Sequence, residues 1–193
     1  DGDRLRAGHR FLLSGGDLFE NVSHLFLAET PSLDPLRPLG SNVRDLRLPP
    51  PDDRITKMFG LEEGLWHAGG IGLLGDVVAV PFQGGHPGSP PPKAGVGFYD
   101  FSEPRAPRRC PAAGWISCET HSSGAAALTR LPGGHLLAAV WRDKLGDTAE
   151  STGRLDFYVS TAADWPAFGD RYGHWSYATT LDPAEQDPRY QGI

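Results

Sequence analysis

Two histidines sit at matching places in this chain, and imidazole is the side chain best suited to metal ligation and to proton transfer near neutral pH. His67 opens "HAGGIGLLGDVVAVPF" and His121 opens "HSSGAAALTRLPGGHLLAAVW". Each is followed by a glycine at the third position beyond it, then by a turn, then by a run of Val, Leu and Ala. If both histidines open strands that line one axis, their imidazoles converge there and would share a divalent transition metal, such as Zn, Fe, Cu or Ni, with ligands from further repeats. The plainer role for each is a hydrogen bond that fixes a loop, because a repeat shares its structural residues by construction. Glu119 precedes His121 by two positions, on the same side of an extended chain, where a carboxylate would orient the imidazole. Its counterpart in the first copy is Leu65, so that arrangement is not repeated and a solvated charge is the simpler reading. Trp66 and Trp115, near the ends of the units, are candidates for a ligand-stacking surface. Trp141 and Trp175 lie in apolar runs and read as core.

Other chemistries leave no trace. There is no nucleophile elbow, no glycine-rich phosphate loop and no pair of zinc-binding Cys-x-x-Cys motifs, which argues against an NTP-dependent enzyme. Lys and Arg number 18 against 24 Asp and Glu, a net charge of −6. The densest basic stretch, Arg105–Arg109, is short, broken by proline, and reads as a solvated loop. A nucleic-acid partner would need clustered positive charge and is not expected. No apolar run approaches the roughly 18–20 residues that span a bilayer. Cys110 and Cys118 would either close a small loop in an oxidising compartment or serve as two core thiols.

The elements that position these residues are short. The 193 residues include 25 glycines and 18 prolines, a composition that suits many strands joined by turns. Placing His67 on His121 puts Gly70 on Gly124 and Leu74 on Leu128. Past the turn, Val80 falls on Ala139, Phe98 on Phe157 and Tyr99 on Tyr158. The change of spacing is confined to the turn, as in a hairpin that has gained residues at its tip. Gly75-Asp76 and Gly133-Gly134 are hairpin dipeptides, since glycine tolerates positive φ. The first unit predicts strands near 70–75, 77–82, 95–101 and 107–118; the second near 124–129, 135–141, 154–160 and 174–180. A weaker copy precedes them, with "SHLFLAET" (23–30) as its second strand, "SNVRDLRL" (41–48) as its third and "RITKMFGL" (54–61) as its fourth. A short helix is drawn at 162–170, and "FQGGHPGSPPPKAG" (82–95) reads as an insertion between strands.

Four strands per unit, repeated, predict an all-β fold of β-propeller blades. The units run over about 20–62, 67–118 and 121–182, with "YQGI" (190–193) opening a further one. "VGFYDFSEP" resembles the third-strand signature of bacterial β-propeller proteins of the LVIVD-like type, in which Tyr-Asp runs into Ser, an acidic residue and Pro. "HAGGIGLLGDVVAVPF" is similar to the first hairpin of secreted or periplasmic bacterial propellers of uncharacterised function. The resemblance covers roughly residues 20–193, and its motifs are structural. The second unit departs from it, with Tyr158-Val159 in place of Tyr99-Asp100.

A ring needs at least about four blades to close and remove its edges. The expectation is therefore an incomplete ring or N-terminal portion, completed by later blades of the same polypeptide or by a second chain. Function is expected to be that of a binding or scaffold module in an extracellular or periplasmic setting. The alternative is a metal-dependent propeller lyase, hydrolase or oxidase with His67 and His121 at the channel mouth.

Overall fold

The computed structural model describes residues 9–17, 22–30, 54–65, 67–83, 94–110, 114–118, 121–144, 153–161, 163 and 175–181. Every regular element among them is a strand, in three antiparallel sheets. Sheet A runs β1 (His9–Asp17), β2 (Val22–Thr30), β3 (Arg54–Glu63) in that order. Sheet B runs β4 (His67–Ala68), β6 (Val77–Gln83), β7 (Ala94–Asp100), β8 (Arg108–Arg109), with β5 (Gly72–Leu74) also on β6 and β9 (Ile116–Ser117) also on β7. Sheet C runs β10 (His121–Arg130), β11 (Leu136–Lys144), β12 (Arg154–Ser160), β13 (Trp175–Leu181). Sheet C matches the expected strands closely. Both hairpin turns fall where the glycines predict, with φ of 58° at Gly75 and 93° and 91° at Gly133 and Gly134.

Three details differ from the sequence expectation. The first sheet opens with β1, ahead of the expected start at residue 20, and pairs it along its whole length with β2. The segment 54–61, expected as a fourth strand, hydrogen-bonds β2 directly and so lies third in its sheet. The single strand expected at 107–118 is two short pieces, β8 and β9, each on β7. Between them the chain holds Pro111, which has no amide hydrogen for a ladder, and Gly114 at φ 71°. The segments 41–48 and 190–193, and almost all of the proposed helix at 162–170, lie outside the described residues. Among the described residues no helix is long and apolar enough to cross a membrane.

Sheet B is the middle layer. Alternate residues of a strand face opposite ways, and both faces of β6 and β7 are apolar. Val78, Val80, Phe82, Tyr99 and Phe101 pack toward sheet A with Leu25 and Leu65. Ala79, Ala94, Val96 and Phe98 pack toward sheet C with Ala126, Ala138 and Val140. Phe82 and Phe98 are wholly buried, each contributing about 2–3 kcal/mol of transfer free energy. Trp115 lies flat on Phe82, with ring centroids 5.8 Å apart and 14° between planes. It occupies the space left by Gly95, where any Cβ would meet the indole ring.

Sheets B and C also meet backbone to backbone. Gly70 forms a parallel bridge to Ala125. Its amide donates to Gly124 O at 2.9 Å, and its carbonyl accepts from the Ala126 amide at 2.9 Å. A Cβ on Gly69 would collide with the Gly124 carbonyl, and one on Gly72 would sit 2.6 Å from Ala126 O and 2.7 Å from Ala127 Cα. The Gly-Gly-x-Gly at residues 69–72 is therefore a contact surface. We expect Gly72→Ala to lower unfolding stability by about 1–3 kcal/mol in urea denaturation. The exposed neighbour Leu73 serves as control, its alanine variant shifting stability by less than about 0.5 kcal/mol.

Candidate functional site

The ladders set out which positions of sheets B and C correspond. In sheet B, Val78 pairs with Tyr99 and Val80 with Gly97; in sheet C, Ala138 pairs with Tyr158 and Val140 with Asp156. Val78 and Val80 pack toward the preceding sheet, and so do Ala138 and Val140. Tyr99 and Tyr158 thus match as expected, but Val80 matches Val140 and not Ala139. Following the second strands outward, Gln83 matches Asp143, and their first-strand partners are His67 and Ser122. His121 instead pairs with Lys144 and falls one residue out of phase. The sequence alignment missed this because Val, Leu and Ala interchange freely in both runs, so a one-residue slip leaves the pattern intact. His67 is half-buried at the start of sheet B. Trp66 and Glu119 lie outside the described residues. Trp115 is half-buried, held between Phe82 and the space over Gly95 rather than offered as an open stacking surface. Among the described residues no group of three or more His, Cys, Asp or Glu is arranged to hold a metal ion.

The same register shows Arg142 where sheet B has Phe82, and Asp156 where it has Gly97. The two form an ion pair through Arg142 Nε and Asp156 Oδ2, with the carboxylate only 1% exposed. Asp156 also accepts from Thr180 Oγ1 at 2.5 Å and from the Tyr158 hydroxyl at 3.4 Å. Burial, helped by the neighbouring Cys118 and Asp156, holds the Tyr158 phenol well above its ordinary value. Cys118 is buried beside this group, and burial pushes its thiol up to about 12. Cys110 is half-buried, its thiol pushed up to about 11, and both cysteines are free. Ser123 Oγ lies 2.6 Å from Phe82 O and 2.9 Å from Gly95 O, sharing its proton between two carbonyls of sheet B. Asp156, Ser123 and Cys118 are buried at the seam between sheets B and C, and the partners of Ser123 tie the two sheets together.

The open site lies at the other seam. A cleft of about 580 Å³ is lined by Phe59, Leu61 and Glu62 of β3, Tyr99 of β7, and Pro107 and Arg109 beyond it. That volume falls within the roughly 300–1,000 Å³ of small-molecule and peptide pockets. Glu62 Oε1 accepts from the Tyr99 hydroxyl at 3.0 Å and pairs with Arg109 at 3.0 Å. Burial first, and then the Glu62 carboxylate, keeps the Tyr99 phenol protonated far into alkali, so it is a fixed donor. The Arg109 guanidinium also lies 6.0 Å from the Trp115 ring centre. The cleft thus sets one carboxylate and one partly exposed guanidinium beside the side chains of Phe59, Leu61, Tyr99 and Pro107. Sequence reasoning singled out neither Glu62 nor Arg109, and placed Arg109 in a solvated loop. Only Trp115 and the repeated Phe-Tyr pair pointed to this neighbourhood. The motif residue Asp100 acts locally. Its carboxylate accepts the Ser102 amide at 2.8 Å, which turns the chain and lowers the Asp100 pKa.

The chain matches no known family model, no curated protein and no solved structure. Inference about function therefore rests on its own geometry.

Two outcomes follow. Asp156→Ala leaves Arg142 without its partner in the seam and lowers stability by about 3–5 kcal/mol, whereas Arg142→Met with Asp156→Leu recovers most of the loss in thermal unfolding. The Cys118 thiol has its folded pKa raised above the ordinary 9.0, so the fold favours the protonated form. Its contribution to stability is complete below pH 9 and is lost as pH rises toward 12. Urea midpoints of Cys118→Ala should fall less steeply than those of the parent over that range.

Proposed function

We propose that the three sheets are successive blades of a β-propeller portion and that the chain serves as a binding or scaffold module. Its proposed setting is extracytoplasmic, and further blades or a partner chain complete it. The observation that carries this reading is the parallel bridge between Gly70 and Ala125. By ladder register these two residues are equivalents in their repeats. A rotation about a common axis brings equivalent positions of neighbouring sheets side by side and parallel. β4–β5 and β10 are also the first strands of their sheets, the place of the innermost strand in a blade. A plain stack of sheets has no reason to join equivalent residues at one edge.

The cleft between β3 and β7 supplies the binding surface in this reading. Its mixed lining, Phe59, Leu61 and Pro107 beside Glu62 and Arg109, suits a peptide segment that places one apolar side chain there and offers its main chain to the charged pair. Small-angle scattering of the assembled protein tests the architecture. A flattened, disc-like envelope is expected, and a long rod of stacked sheets overturns it. A peptide array tests the cleft: sequences retained by the parent should be released by the Glu62→Gln, Arg109→Met double variant. Equal retention by both proteins, or no retention by the parent, overturns the assignment.

A further inference from the structure

We propose that an extended peptide in the cleft pairs with β3 as an added strand, so that its main chain continues the ladder of sheet A. The inference rests on the reading of the cleft as a peptide site. Two features of β3 bring its main chain within reach. The first is a bulge. Val22 pairs with Glu63 and His24 with Gly60, so Ser23 opposes both Leu61 and Glu62. The extra residue turns Glu62 to the side of Phe59 and Leu61, where it meets Tyr99 and Arg109. The second is Gly60, which is exposed and lies between these residues, directed the other way. It lines the cleft all the same, and it has only main chain to line it with. A Cβ there would meet Val22 Cγ1 alone, at an ordinary 3.7 Å, and Gly60 is not in the left-handed region. Neither packing nor backbone conformation asks for glycine at this place. Close approach by another main chain does.

One edge of β3 is paired with β2, so a peptide meets the other edge. The place beyond the third strand is taken by β13 in sheet C, and by β8 and β9 beside β7 in sheet B. Among the described residues sheet A has three strands, and the added strand takes the corresponding place. The Glu62 carbonyl accepts from the Leu65 amide at 3.4 Å, which ends the new ladder at that point. Charge agrees with this occupant. Glu62 Oε1 takes both the Tyr99 hydroxyl and Arg109 Nη1, so the two charges neutralise each other in place and offer no net charge to an ion. A neutral main chain with alternating donors and acceptors is the matching partner. In strand addition the main-chain hydrogen bonds give affinity, and alternate side chains give specificity. Here one apolar side chain packs beside Tyr99 and Pro107, and its two neighbours face away.

N-methyl scanning of the array peptides that the parent retains tests this on the full chain. Each peptide is made end-blocked, with N-methyl groups on alternate residues, once in each of the two phases. A strand pairs through the amides of every second residue along one edge. Methyl groups in one phase should therefore weaken binding at least about tenfold, and those in the other phase should leave it within about twofold. Equal loss in both phases, or in neither, overturns strand addition and leaves the peptide site standing. Retention of no peptide removes the peptide reading, and this inference with it. Amide hydrogen exchange gives a second measurement. The amides of Phe59–Leu61 that point away from β2 should exchange freely without peptide and slow at least about tenfold with it. Protection already present without peptide means that the chain itself completes sheet A, and it overturns the proposal, as does exchange that a bound peptide leaves unchanged.

Discussion

The contact on which the described fold depends is the meeting of two backbones at the edge of sheets B and C. Peptide groups of Gly70 exchange two hydrogen bonds with the Gly124–Ala126 segment, and Gly69 and Gly72 leave no room for a side chain between them. Two buried hydrogen bonds contribute only about 1 kcal/mol each. Their larger effect is geometric. They set the depth at which β10 sits against β5 and β6, and this places Ser123 on the carbonyls of Phe82 and Gly95. It also brings Ala126, Ala138 and Val140 onto Val96 and Phe98. A single methyl group at this edge would separate the layers and open voids in a core that is otherwise closely packed.

Behind that backbone contact, sheets B and C fill space in different ways. Sheet B places Phe82 against Trp115 over Gly95 and Gly97, an apolar solution. Sheet C places Arg142 against Asp156 at the corresponding positions, with Tyr158 and Thr180 completing the acceptor set. The buried ion pair gives no net stability over a well-packed apolar alternative of equal volume. It does demand its partners, because the carboxylate is 1% exposed and has no water to turn to. The seam toward sheet A is different again. Glu62 ties β3 to Tyr99 and Arg109 at its outer end, and the side chains beside it leave the cleft. The place with room for a ligand is thus the seam whose polar clasp lies at the surface.

Much of the fold was legible in the linear pattern. The hairpin dipeptides Gly75-Asp76 and Gly133-Gly134 located their turns, and the apolar runs of β6, β7, β11 and β12 fell close to their observed limits. The broken strand at β8 and β9 was hidden because Pro111 and Gly114 are compatible with an ordinary turn as well as with an interrupted edge. The cleft was less visible. Glu62 and Arg109 lie far apart in sequence, in segments of ordinary polarity, and no local spacing relates them. His67 and His121 were visible through a sequence match that the ladders offset by one residue, with His67 opposite Gln83 and His121 opposite Lys144.

By itself, the sequence determined the class of structure: antiparallel sheets with glycine turns and strands apolar on both sides. Hairpins and alternation are local properties, written in neighbouring residues. Only the tertiary structure decided which positions of sheets B and C correspond, which polar groups are buried in a seam and which border a cleft. Those outcomes depend on pairing between strands far apart in the chain, and interchangeable Val, Leu and Ala carry no mark of their register.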